Sequence, residues 1–344
     1  MNLRTMTAAV LLAVLHSPAY GAFAYLGILG DSLSDTGRLA QATGEATFGL
    51  LSVPKEPYLP GRFSNGPVWV DYYATEHPGI TIGNAAMGGA FSGLINGRDN
   101  AGDDLLVAVP FIGGSLRAAA SGLNSQLPLV PDLTGSNAAF VLWIGANDIN
   151  SALDIGFAAP QDVVPTSLNN VGNAINTLLA RGVNDIFVGN LPDLCRTPDG
   201  LSSGRATDLT AATIDFNNGL AILVAGAGAK VHLVDLFTPF NALLANAGAL
   251  GFTDITTPCV DDLLDTTACA NPDAHLFWDT IHPSTAIHRE IAGVFTASFE
   301  ASPIPLPASW LLLLPAAGCL FVRRRSLHAG RVRGPSPAAA SKKC

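Results

Sequence analysis

Ser32 stands where the texture of the chain changes abruptly. Tyr25-Leu26-Gly27-Ile28-Leu29 is apolar, whereas Gly30-Asp31-Ser32-Leu33-Ser34-Asp35-Thr36-Gly37 is small and polar. Such a break reads as a buried strand ending in a tight turn at the carboxyl edge of a sheet. Ser34 or Asp35 can cap the helix that follows, which leaves the Ser32 hydroxyl exposed between strand and helix. Backbone N–H groups at a turn of this kind can receive an oxyanion beside that hydroxyl. Gly-Asp-Ser is also an ordinary turn tripeptide. A serine becomes a nucleophile only with a base, a group that orients the base, and oxyanion donors.

The rest of the chain offers candidates for each part. In Asp279-Thr280-Ile281-His282 the spacing can bring an acid and an imidazole onto one side of a tight loop. There Asp279 can hold one ring nitrogen while His282 turns the other toward Ser32. Asn147 follows the apolar run 138–144, and Gly89 follows the brief strand Ile80-Thr81-Ile82. Both therefore fall at strand ends, where ligand sites of open α/β sheets collect. His275, Asp31, Asp35 and Asp148 are placed near the site in supporting roles at most. His77, His232 and His288 read as structural or exposed.

These residues need a scaffold, and the hydrophobic pattern supplies one. Further strands are expected at 185–189 and 230–235. Helices are expected at about 65–73 (capped by Asn65), 114–128, 166–181, 208–226 and 238–247, with a last one ending near Phe299. Residues 38–60 and 93–113 read as loops, and with 252–275 they are expected to shape a pocket. Five strand-like runs that are apolar almost throughout and alternate with helices predict a parallel sheet covered on both faces, in one domain. Asp99, Asp103 and Asp104 lack the spacing of a calcium loop. No metal or cofactor is expected.

Taken together the blocks carry a resemblance. Gly30-Asp31-Ser32-Leu33, Asn84 to Ala90, Gly145-Ala146-Asn147-Asp148 and Asp279-Thr280-Ile281-His282-Pro283 occur in the order found in SGNH hydrolases of the GDSL lipase/esterase family. Gly61 to Tyr73 resembles the plant-type and acyltransferase-like branch. The resemblance spans roughly residues 25–300. It implies a flavodoxin-like three-layer α/β/α domain with a mostly parallel five-stranded sheet. It further implies an ester hydrolase in which Ser32 is nucleophile, His282 base and Asp279 its orienting acid. Ser32 and Gly89 N–H groups and the Asn147 side chain would form the oxyanion hole. Acyl transfer or glycan deacetylation would use the same site, and a non-catalytic surface or matrix binding module could sit on the same fold. The implied partner is an ester or lipid substrate.

Charge and the two ends set the setting. Residues 23–303 carry ten Lys and Arg against 27 Asp and Glu, a net charge of −17. Such a body repels nucleic acid and anionic membranes. Residues 1–24 read as a secretory signal peptide, with Arg4 ahead of an apolar run and cleavage after Gly21 or Ala24. Residues 301–325 combine a Pro-rich motif, an apolar segment over 306–322 and Arg323-Arg324-Arg325. That tail resembles PEP-CTERM sorting signals and implies membrane anchoring and exosortase-type processing. Residues 326–344 read as a disordered tail, and the protein as secreted or displayed at the cell surface. In an exported chain Cys259 and Cys269 suit a disulfide, leaving Cys195 as an unpaired, buried thiol.

Overall fold

The computed structural model describes residues 23–50, 52–93, 122–133, 137–152, 157–261 and 267–302. The sorting tail beyond Ala301 and Ser302, the terminal segment 326–344 and all but the last two residues of the signal peptide lie outside them. So do Asp99, Asp103 and Asp104 and most of the segments 93–113 and 114–128.

Five strands form one sheet: β1 (Tyr25–Gly30), β2 (Thr81–Asn84), β3 (Ala138–Trp143), β4 (Asp185–Gly189) and β5 (Val231–Val234). Their order is β2-β1-β3-β4-β5, and every pairing is parallel. The helices are α1 (Arg38–Ala46), α2 (Trp69–Glu76), α3 (Leu123–Gln126), α4 (Ala146–Asn150), α5 (Val164–Ala180), α6 (Pro198–Ser202), α7 (Ala206–Ala227), α8 (Phe237–Ala245) and α9 (Thr285–Ala301). The chain steps one way from β1 to β2 and the other way from β3 through β5. Crossovers of one hand then place α2 on one face and α5 and α7 on the other. This is the three-layer architecture of a flavodoxin-like order.

β1, β3 and β4 are apolar because both faces are covered, and every residue of β3 is buried. The edge strand β2 (Thr-Ile-Gly-Asn) has no buried residue, and β5 only its two terminal valines. The expectation of five apolar runs therefore holds for the three central strands. On one face α2 packs on α9, with the Trp69 ring stacked on Phe295 at 4.1 Å. Phe295 also meets Trp143 of β3 edge-on at 5.7 Å, so the pair seals the sheet close to the Ser32 turn. On the other face α5 packs on α7. Phe23, just ahead of β1, is buried edge-on against Phe187 and Phe299.

Three local expectations are corrected. Residues 38–60 are not all loop, because 38–46 form α1. The helix starts because the Asp35 carboxylate accepts the Gly37, Arg38 and Leu39 N–H groups, satisfying donors that have no partner inside a helix. Asn65 does not cap α2. Its Oδ1 accepts the Thr285 N–H at 2.8 Å and so serves the start of α9, while the Asp71 carboxylate takes the Val68 N–H ahead of α2. Cys195 is half-buried rather than fully buried, and desolvation still raises its thiol pKa. Cys259 and Cys269 form a disulfide.

Candidate active site

The turn after β1 is fixed from several sides. Gly30 N–H donates to Gln126 Oε1 at 2.9 Å, and Gln126 Nε2 donates back to Gly30 O at 2.7 Å. Trp69 Nε1 donates to Ser34 Oγ, and Asn84 Nδ2 donates to Ser34 O and Thr36 Oγ1. Asp35 Oδ2 takes the Gly88 N–H at 2.8 Å. The first and second sequence blocks are thereby tied together. β1 has β2 on one side and β3 on the other, so Ser32 and Asn147 leave the sheet where the strand order reverses.

Ser32, His282 and Asp279 form one hydrogen-bonded chain, although 250 residues separate the first two. Ser32 Oγ lies 2.8 Å from His282 Nε2, and His282 Nδ1 lies 2.7 Å from Asp279 Oδ2. The loop that carries the acid and imidazole is closed by the Trp278 N–H donating to His282 O. Within it Asp279 Oδ1 accepts the Ile281 and His282 N–H groups at 2.9 and 2.7 Å. The three side chains are nearly buried, at 6% exposure for Ser32, 5% for His282 and 3% for Asp279. Burial opposes the Asp279 charge, but the facing imidazole and the two backbone donors outweigh it and hold the pKa below the usual carboxylate range. Phe63 covers the imidazole, its ring 5.0 Å away and tilted by 37°.

The remaining sequence candidates are near each other as well. Gly88 N–H is committed to Asp35, whereas Gly89, at φ +76°, and Ser32 have N–H groups with no acceptor among the described residues. This distinction favours Gly89 as an oxyanion donor. Asn147 Nδ2 donates to Ala90 O at 2.9 Å, which joins the third block to the second and leaves its other amide proton for a ligand. Gly145 makes this approach possible. Its φ is +120°, and a Cβ there would come within 2.7 Å of the Phe216 ring.

Supporting residues surround the group. Burial pushes Asp31 up to about 7 and Asp148 adds to this, against the Leu33 N–H and His282. Asp148 is also raised by burial; Ser92 and Ser167 hold it, the latter at 2.7 Å. His275 lies on an exposed loop, with Nδ1 3.2 Å from Thr257 O. His288 is fully buried, and desolvation lowers its pKa to about 3, so it stays neutral.

A cavity of about 330 Å³ opens beside the hydrogen-bonded chain, lined by Ser32, Asn147 and His282. Its apolar wall includes Phe240 and Leu243 of α8 and Ile287 and Ile291 of α9. No described residue of 38–60 or 252–275 lines it, which corrects the expected origin of the pocket. Its apolar wall comes largely from α8 and α9, with Pro192 and Leu236 of the strand-end loops and Phe277 beside them. α8 leaves its apolar side chains available because none of its residues is buried. Gly89 lies outside this lining. One neighbour of the site was missed in the sequence: Tyr58, whose hydroxyl donates to Asp279 Oδ2 at 2.8 Å.

Known proteins match along most of the chain. A family model described as GDSL-like Lipase/Acylhydrolase covers residues 26–295. The phosphatidylcholine-sterol acyltransferase of Aeromonas hydrophila is 26% identical over 333 residues, covering 82% of this chain and 92% of that protein. A GDSL esterase/lipase of Arabidopsis thaliana is 24% identical over 330 residues, covering 79% and 89%. Phospholipase A1 from Streptomyces albidoflavus NA297 superposes with a TM-score of 0.49 at 14% identity, covering 80% of this chain and 100% of that one. The family match runs from β1 into α9 and spans every block that carries the site, and the chain belongs to the GDSL-like lipase/acylhydrolase family.

Proposed function

We propose that the protein is an exported serine esterase that cleaves carboxylic esters with apolar acyl groups through an acyl-serine intermediate. The observation that carries this reading is the continuous Asp279–His282–Ser32 hydrogen-bonded chain opening on an apolar cavity. Ser32 Oγ attacks the ester carbonyl while His282 Nε2 takes the hydroxyl proton. Negative charge on the carbonyl oxygen is met by the Ser32 and Gly89 N–H groups and the Asn147 amide. The C–O bond to the alcohol then breaks and the alcohol leaves with the proton from His282. Water attacks the acyl-serine with His282 again as base, releasing the acid and restoring Ser32.

The cavity sets the acyl preference. Esters of graded chain length assayed on purified protein should show kcat/KM rising with chain length until the apolar wall is filled. Leu243→Trp should lower kcat/KM for eight-carbon esters roughly tenfold while leaving acetyl esters near wild type, since lost pocket contacts of this size are worth about 10–200-fold. Equal losses on short and long esters would contradict an acyl role for this wall. The Aeromonas hydrophila relative is named an acyltransferase. An added alcohol that competes with water for the acyl-serine would give transfer here too, and the ratio of new ester to free acid measures it.

Export belongs to the same proposal, with the Cys259–Cys269 disulfide in support. Cleavage after Ala24 would remove Phe23, a ring buried in the core, whereas cleavage after Gly21 retains it. Mass spectrometry of the mature protein should therefore find Ala22 at the amino terminus, and a chain starting at Tyr25 would refute this. Anchoring through 306–322 and exosortase-type processing complete the proposal.

A further inference from the structure

Asp279 is held by four hydrogen bonds of two kinds. Oδ1 takes two backbone N–H groups from its own loop, and Oδ2 takes two side-chain contacts, from His282 and from Tyr58. Tyr58 comes from a different part of the chain, 221 residues away, and is only 2% exposed. Its ring is itself fixed. It meets Trp278 edge-on at 5.8 Å and 88°, within a cluster that also contains Cys259 and Val260. Cys259 and Val260 N–H groups donate to Trp278 O at 3.0 and 2.8 Å, so the disulfide-bearing segment holds the backbone immediately before the acid.

We propose that Tyr58 is a positioning residue for the reaction, its hydroxyl fixing the Asp279 carboxylate in the orientation that presents Oδ2 to His282 Nδ1. The inference rests on the serine esterase reading for its consequence in rate, though not for its geometry. Without the hydroxyl, Oδ1 remains anchored by the backbone, but Oδ2 has one donor fewer in a site closed to water. A hydrogen bond to a buried charge is among the stronger ones, and its loss leaves the carboxylate underpartnered. The imidazole then loses a rigid partner at Nδ1, and Nε2 loses its aim at Ser32.

Tyr58→Phe removes one oxygen and keeps the ring that fills the cluster. We expect kcat to fall roughly tenfold, the scale of one hydrogen bond to a charge, with KM close to wild type. In an Asp279→Ala background, where no carboxylate is left to position, Tyr58→Phe should have no further effect. The low-field proton resonance of His282 Nδ1–H should move in Tyr58→Phe, a readout that needs no turnover. Wild-type kcat with an unmoved resonance would overturn the proposal. An equal loss in the Asp279→Ala background would overturn it as well, because that assigns Tyr58 to packing. A wild-type protein inert toward esters, in which Tyr58→Phe still moves the resonance, would support the positioning contact and fault the esterase reading alone.

Discussion

Ser32→Ala should lower kcat for ester hydrolysis by roughly 10⁴-fold or more, the scale seen when a serine nucleophile is removed. The loss is chemical rather than structural. Ser32 lies within a turn whose backbone is held by Gln126, Asn84 and Asp35, and its own side chain touches His282 rather than the core. Thermal unfolding should therefore be close to wild type. A serine-directed phosphonate should add once per wild-type chain and not at all to the variant, with peptide mapping placing the adduct on Ser32. His282→Ala added to Ser32→Ala should cost little more, because residues that act as a unit are not additive. Full esterase activity in a clean Ser32→Ala preparation would remove the acyl-serine reading and favour a binding role for the fold.

Much of the scaffold could be read before folding because its signals are local. β1, β3 and β4 are short, largely apolar runs bounded by Gly or polar residues, and β3 is the plainest because it is buried on both faces. The four blocks could be read because Ser32, Gly89, Asn147 and the Asp279/His282 pair each sit beside a strand end or a helix start. What escaped depends on partners distant in sequence. Asn65 looks like a cap for the helix next to it, yet it accepts the Thr285 N–H from 220 residues away. Tyr58 is a single aromatic between Pro57 and Pro60, with no period to mark it and its acceptor far along the chain. The cap of α1 was legible in Asp35, but its extent over 38–46 was not, because its buried face is little more than Leu39 and the polar Thr43, with Ala42 half-buried beside them. The pocket wall escaped for another reason. The apolar residues of α8 predict a helix with a buried face, and no pattern says that the face is left half-exposed beside Ser32.

Asp279→Asn should lower kcat by about 10⁴-fold, on the scale known for the same exchange in a serine triad. The hydrogen bonds around the residue dictate why. Oδ1 faces two backbone donors, the Ile281 and His282 N–H groups, so an amide at this position must place its oxygen there. Its NH₂ then takes the place of Oδ2 and points at His282 Nδ1, which must become an acceptor. The neutral imidazole is thereby forced to carry its proton on Nε2, the nitrogen 2.8 Å from Ser32 Oγ. A protonated Nε2 cannot take the serine proton, so the base is lost although every heavy atom keeps its place. Ser32→Ala loses the nucleophile itself and should remain the more damaging change, because the Asn variant still populates the useful tautomer to a small extent. KM should hold, since Asp279 does not line the cavity. An Asp279→Asn variant within tenfold of wild-type kcat would show that His282 does not depend on this acid for its tautomer.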